Sequence, residues 1–80
     1  MMSVKEAIYQ SAVQVLGFEK EDVTELWEAD LWEGNLLDSL GMVAFIAKIE
    51  GLLGMSIDLR KFKPEDMASF TTLETAIEKL

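Results

Sequence analysis

The stretch Asp38-Ser39-Leu40-Gly41-Met42-Val43-Ala44-Phe45-Ile46-Ala47-Lys48-Ile49-Glu50-Gly51-Leu52-Leu53-Gly54 decides the fold. Asp38 is of the type that caps a helix N-terminus, because its carboxylate can accept a free backbone N–H of the first turn, where Ser39 follows. Met42, Phe45/Ile46, Ile49 and Leu52/Leu53 recur at helical spacing and make one apolar stripe. Leu40, Val43, Ala44 and Ala47 make a second. A helix that is apolar on two faces cannot bury both in a chain of 80 residues, so one stripe is expected at the surface. Gly51 and Gly54 are expected to close the helix.

Working outward, Ser3 and Glu6 have the S-x-x-E spacing of a capping box. Val4, Ala7/Ile8, Ser11/Ala12 and Val15 then share one helical face, and Gly17 is placed to end the element, which predicts a helix over 4–16. Residues 17–37 lack sustained periodicity and read as a long connection, with room for a short helical turn around 20–28. Seven of the fifteen acids fall between Glu19 and Glu33, and Trp27 and Trp32 read as anchors of this loop rather than parts of a ligand box. Pro64 fits the first turn of a short helix. The last helix is expected to be capped by Thr71 or Thr72, with Leu73, Ala76, Ile77 and Leu80 on its inner face and Ala68 and Phe70 packed beneath. The chain therefore reads as a single all-α domain over 1–80, three main helices with one or two short ones.

Composition removes several functions. With 15 Asp+Glu against 7 Lys+Arg the net charge is -8, which opposes a phosphate backbone and makes nucleic acid an unsuitable partner. There is no Cys and no His, hence no disulfide, no thiol nucleophile, no Ser-His pair and no zinc site of the usual kind. Asp30 to Gly34 places glycine one position early for an EF-hand loop. The longest apolar or Gly run, Leu40 to Ala47, is eight residues, against the about 20 that cross a bilayer. The N-terminus lacks the basic and apolar blocks of a secretory signal, so a cytoplasmic protein is expected. Arg60, Lys61 and Lys63, three of the seven basic residues, read as a solvated face, with contact to an acidic partner as the alternative.

One position invites chemistry. Ser39 should stand at a helix N-terminus near solvent, where backbone N–H groups and the positive end of the helix dipole favour an attached phosphate. On spacing alone, an Asp-Ser pair opening a helix is read most simply as a cap. The segment Gly34-Asn35-Leu36-Leu37-Asp38-Ser39-Leu40-Gly41-Met42-Val43, however, resembles the 4′-phosphopantetheine attachment motif of acyl carrier proteins and peptidyl carrier domains, whose core is Asp-Ser-Leu. The likeness extends to the acidic first loop, the helix lengths and the Ile57-x-Leu59 segment, and so covers most of residues 3–80. It implies a small helical bundle of the acyl-carrier type, a single carrier domain, and a prosthetic arm on Ser39 whose thiol carries cargo as a thioester. It also implies that Asp38 helps a phosphopantetheinyl transferase engage, near a Mg²⁺ bound in that enzyme.

By the same resemblance Leu40, Met42, Val43 and Ala44 form the surface read by partner enzymes: the transferase, an adenylating ligase or acyl-loading enzyme, and a downstream acyltransferase or condensing enzyme. From the residues alone, ordinary burial is equally open to Val43 and Ala44. The order Leu36-Leu37-Asp38-Ser39-Leu40-Gly41 is similar to the D-alanyl carrier proteins of teichoic-acid modification, which implies an amino acid of that type, or a specialised acyl group, as cargo. Fatty-acid carriers place several acids along the second helix, whereas Ser39 to Leu53 holds one acid, Glu50, and one base, Lys48. The expected protein is a freestanding monomeric carrier and not an enzyme. The alternative is a small acidic helical interaction module that shares only the cap sequence and carries no prosthetic group.

Overall fold

Each helix begins where a side chain can take up a free N–H and ends where the chain must turn. The computed structural model describes residues 2–33 and 36–80; Gly34 and Asn35 of the motif segment lie outside the described residues. Among the described residues there are four α-helices, α1 (Val4–Val15), α2 (Lys20–Glu25), α3 (Ser39–Leu53) and α4 (Phe70–Glu78), with two short 3-10 turns at Leu59–Lys61 and Pro64–Met67 and no strand. The chain is all-α, as its patterning predicts.

Ser3 caps α1, its Oγ accepting the Glu6 N–H at 3.1 Å, while the Ser3 hydroxyl meets the Glu6 carboxylate at 3.2 Å. Ala7, Ile8, Ser11 and Ala12 face inward as the periodicity requires. Val15 does not: it stays exposed, because α1 ends there and the half-buried Leu16 and Phe18 fill that end of the core instead. Gly17, at φ 76°, turns the chain, and the Phe18 N–H doubles back onto the Ala12 carbonyl at 3.2 Å. The helical turn expected around 20–28 is α2, where the Asp22 carboxylate accepts the Glu19 N–H at 3.1 Å. α3 ends at Gly54, whose φ of 64° belongs to the left-handed region that glycine occupies without penalty. Gly51 lies inside the helix and does not end it.

α4 departs from expectation at its start. Neither Thr71 nor Thr72 is the cap; Ser69 is, two to three residues earlier, with its Oγ accepting the Thr72 N–H at 3.2 Å and Thr72 Oγ1 accepting the Ser69 N–H at 3.1 Å. Thr72 is therefore the reciprocating third helical residue of a capping box. The shift brings Phe70 into the first turn, where it is fully buried.

α1 is the central helix, with α2, α3 and α4 beside it. Phe70 joins the layers: its ring lies 5.7 Å from Phe45 of α3, 5.8 Å from Trp27 of the loop and 6.3 Å, edge-on, from Phe18. These separations are those at which aromatic pairs attract beyond simple area burial. Trp27 also stacks on Tyr9 of α1 at 5.3 Å, with the Lys5 ammonium over its indole.

The long connection is held to the start of α4 rather than left loose. Leu31 N–H donates to the Ala68 carbonyl (2.8 Å), Thr71 N–H to the Trp27 carbonyl (3.0 Å), and the Trp32 indole N–H to the Met67 carbonyl (3.0 Å). Both tryptophans are thus anchors. One buried group is left over: Ser11 is fully buried and its Oγ has no hydrogen-bond partner among the described residues. A desolvated hydroxyl without a partner costs stability, so Ser11→Ala should leave the protein equally stable or raise its stability by about 1 kcal/mol in urea unfolding. A clear loss would show that the hydroxyl is bonded after all.

Candidate functional site

Leu37, Asp38 and Ser39 take three different environments in succession. Leu37 is buried, and so is Met42, the pair of positions that form a hydrophobic staple across a helix start. Asp38 has extended backbone, and its Oδ1 accepts the Gly41 N–H at 2.6 Å while its carbonyl accepts the Met42 N–H at 2.8 Å. Ser39, the first helical residue, is exposed. The N–H groups of Ser39 and Leu40 precede the first intrahelical bond and so face outward unpaired within the helix, next to the positive end of its dipole. An exposed hydroxyl beside such donors suits the ester oxygen of a phosphate, so the residues present fit the group that the motif implies.

Two turns of α3 beyond Ser39 carry the second apolar stripe. Leu40 is 83% exposed and Val43 57% exposed, with Ala44 and Ala47 exposed beside them. This is the stripe that had no place in the core. Met42 must be removed from the surface set, because it is only 3% exposed. Its position on the helix aligns it with Phe45, Ile46 and Ile49, all buried, and the period that exposes Val43 turns Met42 inward.

The single acid of α3 is not offered to a partner either. Glu50 Oε2 accepts the Ile57 N–H at 2.6 Å and so ties the segment after the helix back onto it. Residue type alone did not reveal this contact, since nothing in the sequence marks residue 57 as the donor. Gly41 has a role that the motif segment alone does not reveal. A Cβ built there would lie 3.0 Å from Asp38 Oδ1, 3.3 Å from Leu37 Cδ1 and 3.8 Å from Leu16 Cδ2. The available signal was a glycine in the first turn of a helix, a position that it normally weakens.

The basic trio is divided. Arg60 is engaged by Asp58, with Nε to Oδ1 and Nη2 to Oδ2 both at 3.0 Å. The Arg60 side chain, with the Arg60 backbone N–H, holds the Asp58 carboxyl below the ordinary carboxylate range, and Asp58 raises the guanidinium in turn. Lys61 and Lys63 border an open depression of about 330 Å³ with Lys79, Glu65 and Asp66. A larger one of about 590 Å³ lies between α1 and α2, bordered by Lys5, Tyr9 and Thr24 among others. Neither is lined by Ser39 or any residue of α3. No group of three or more metal-ligating side chains converges among the described residues.

Comparison with known proteins follows the same line. The chain is similar to D-alanyl carrier proteins of Streptococcus pyogenes serotype M5 (strain Manfredo), serotype M49 (strain NZ131) and serotype M1. Each is 28% identical over 79 residues, covering 99% of this chain and 96% of the relative. This similarity spans nearly the whole chain and supports a placement with the acyl and peptidyl carriers. No family model and no solved structure matches the chain.

The Asp38 cap should be measurable. Asp38→Ala is expected to lower stability by about 1 kcal/mol, and Asp38→Asn by less because an amide oxygen still accepts, both read by urea unfolding. Equal stability of Asp38→Ala and the parent chain would show the cap to be without effect.

Proposed function

We propose that this carrier holds 4′-phosphopantetheine as a phosphodiester on Ser39 and presents an acyl or aminoacyl group to partner enzymes. The observation that carries the reading is the exposed Ser39 hydroxyl at the first position of a capped helix, followed on the same helix by an apolar stripe with no role in the core. When bound, the arm supplies the thiol that this cysteine-free chain lacks, and the cargo is held there as a thioester. The chain's own residues do the rest. Ser39 Oγ supplies the ester oxygen. The Ser39 and Leu40 N–H groups favour the phosphate, and the Asp38 carboxylate takes up the Gly41 N–H. Leu40, Val43 and Ala44 form the face on which partners dock.

The partners in this reading are a phosphopantetheinyl transferase, an adenylating ligase or other loading enzyme, and a downstream acyltransferase or condensing enzyme. The relatives' name favours an amino acid of the D-alanyl type as cargo over a fatty acyl chain. So does the lack of an outward carboxylate on α3, where Glu50 is occupied with Ile57. No helix among the described residues is long and apolar enough to cross a membrane, and the proposed carrier works as a cytoplasmic monomer of one domain.

Co-expression with a broad-specificity phosphopantetheinyl transferase, followed by intact mass measurement, should show a gain of one phosphopantetheine that Ser39→Ala abolishes. An unmodified parent chain would sink the proposal. The exposed stripe also favours a second reading, a helical interaction module without a prosthetic group. In that case Ser39→Ala leaves partner function intact while Val43→Asp removes it; in the carrier reading both substitutions remove it.

A further inference from the structure

α3 contains two glycines, and they differ in what surrounds them. A Cβ on Gly51 would meet nothing within 4 Å, whereas on Gly41 it would meet the Asp38 carboxylate at 3.0 Å and the buried Leu37 side chain at 3.3 Å. Real Cβ atoms rarely approach as closely as the first of these. Glycine lowers helix stability relative to alanine, so Gly51 represents a plain loss. At Gly41 the missing methyl is used.

The hydrogen bond from the Gly41 N–H to Asp38 Oδ1 is short, at 2.6 Å, and brings the carboxylate directly over the backbone of residue 41. Leu37, just before the cap, is buried with its Cδ1 beside the same spot, where Leu16 at the end of α1 also arrives. Three side chains from two segments thus close on one position that has no side chain of its own. A methyl group there requires the carboxylate and the Leu37 side chain to give by a few tenths of an ångström. The short hydrogen bond on one side and the core packing on the other hold both, so that shift loosens the turn that begins with Ser39.

We infer that Gly41 is a positioning residue for Ser39: its missing Cβ lets Asp38 cap α3 while Leu37 remains buried, and so sets where the helix starts and where the Ser39 hydroxyl stands. The inference rests on the reading of Ser39 as the attachment site. Gly41 touches neither the arm nor the transferase in this role; it acts through Asp38. The docking stripe of Leu40, Val43 and Ala44 keeps its place on the helix, so loss of Gly41 should affect presentation of the hydroxyl more than binding of the enzyme.

The test is a double-mutant cycle on the full chain, with Gly51→Ala as the control. Melting temperatures are recorded for the unmodified proteins, and modification by a phosphopantetheinyl transferase with coenzyme A is followed by intact mass, well below every melting transition. Gly51→Ala should raise the melting temperature through helix propensity, whereas Gly41→Ala should lower it. With Asp38→Ala already present, Gly41→Ala should cost less than it does in the parent chain, because the carboxylate it collides with is gone.

In the transferase assay Gly41→Ala should lower kcat about five- to tenfold with KM within about twofold, because a displaced hydroxyl reaches the reacting phosphorus less favourably once the enzyme is bound. It should add no further loss to Asp38→Ala. A melting temperature raised by Gly41→Ala as by Gly51→Ala, additive effects of the two substitutions, or an unchanged kcat would overturn the inference while leaving Ser39 as the attachment site. A parent chain that takes up no phosphopantetheine overturns the Ser39 reading, and the role of Gly41 in it falls as well.

Discussion

The buried ring of Phe70 is the contact on which the arrangement depends. It stands at the first turn of α4 and receives Phe18 from the end of α1, Trp27 from the long connection and Phe45 from the middle of α3. A chain of this size has room for one such convergence, and aromatic rings bury the most area per residue ordered. Placing Phe45 against Phe70 fixes the rotation of α3, since one buried position on a helix determines which positions face away. Exposure of Leu40 and Val43 therefore follows from a contact made by the middle of the same helix.

Acidity has a second use here besides solubility. The seven acids between Glu19 and Glu33 are exposed, but carboxylates throughout the chain also accept backbone N–H groups at turns: Asp22, Asp30, Asp38, Glu50, Asp58 and Asp66 each take at least one. Short helices leave many unpaired donors for their length, and a charged acceptor satisfies them more strongly than a neutral one. At α3 this shapes the exposed surface. Asp38 at its start and Glu50 near its end both turn to the backbone, which leaves the outward face between them apolar.

Much of this was legible in the residues. Ser3, Gly17, Asp38, Gly54 and Pro64 all do what their local chemistry predicts, because caps and turns depend on groups a few positions apart. The surplus apolar stripe of α3 was also visible as more apolar surface than one core accommodates. Three readings failed for a shared reason. Val15, Met42 and the cap of α4 are each locally acceptable on either side of a boundary, and neighbours far along the chain choose the side. Leu16 and Phe18 end the core before Val15. The alignment with Phe45 draws Met42 inward, and the bonds from the Leu31 N–H to the Ala68 carbonyl and from the Thr71 N–H to the Trp27 carbonyl fix the cap of α4 at Ser69.

The sequence by itself determined the class of the fold and the cap before Ser39, since these rest on spacing and residue type. Only the tertiary structure decided which face of α3 is free, that Glu50 is committed to Ile57, and that Gly41 makes room for Asp38 and Leu37. The physical reason is range. Capping is settled within one turn of helix, whereas exposure and close approach depend on which distant side chains arrive at the same place.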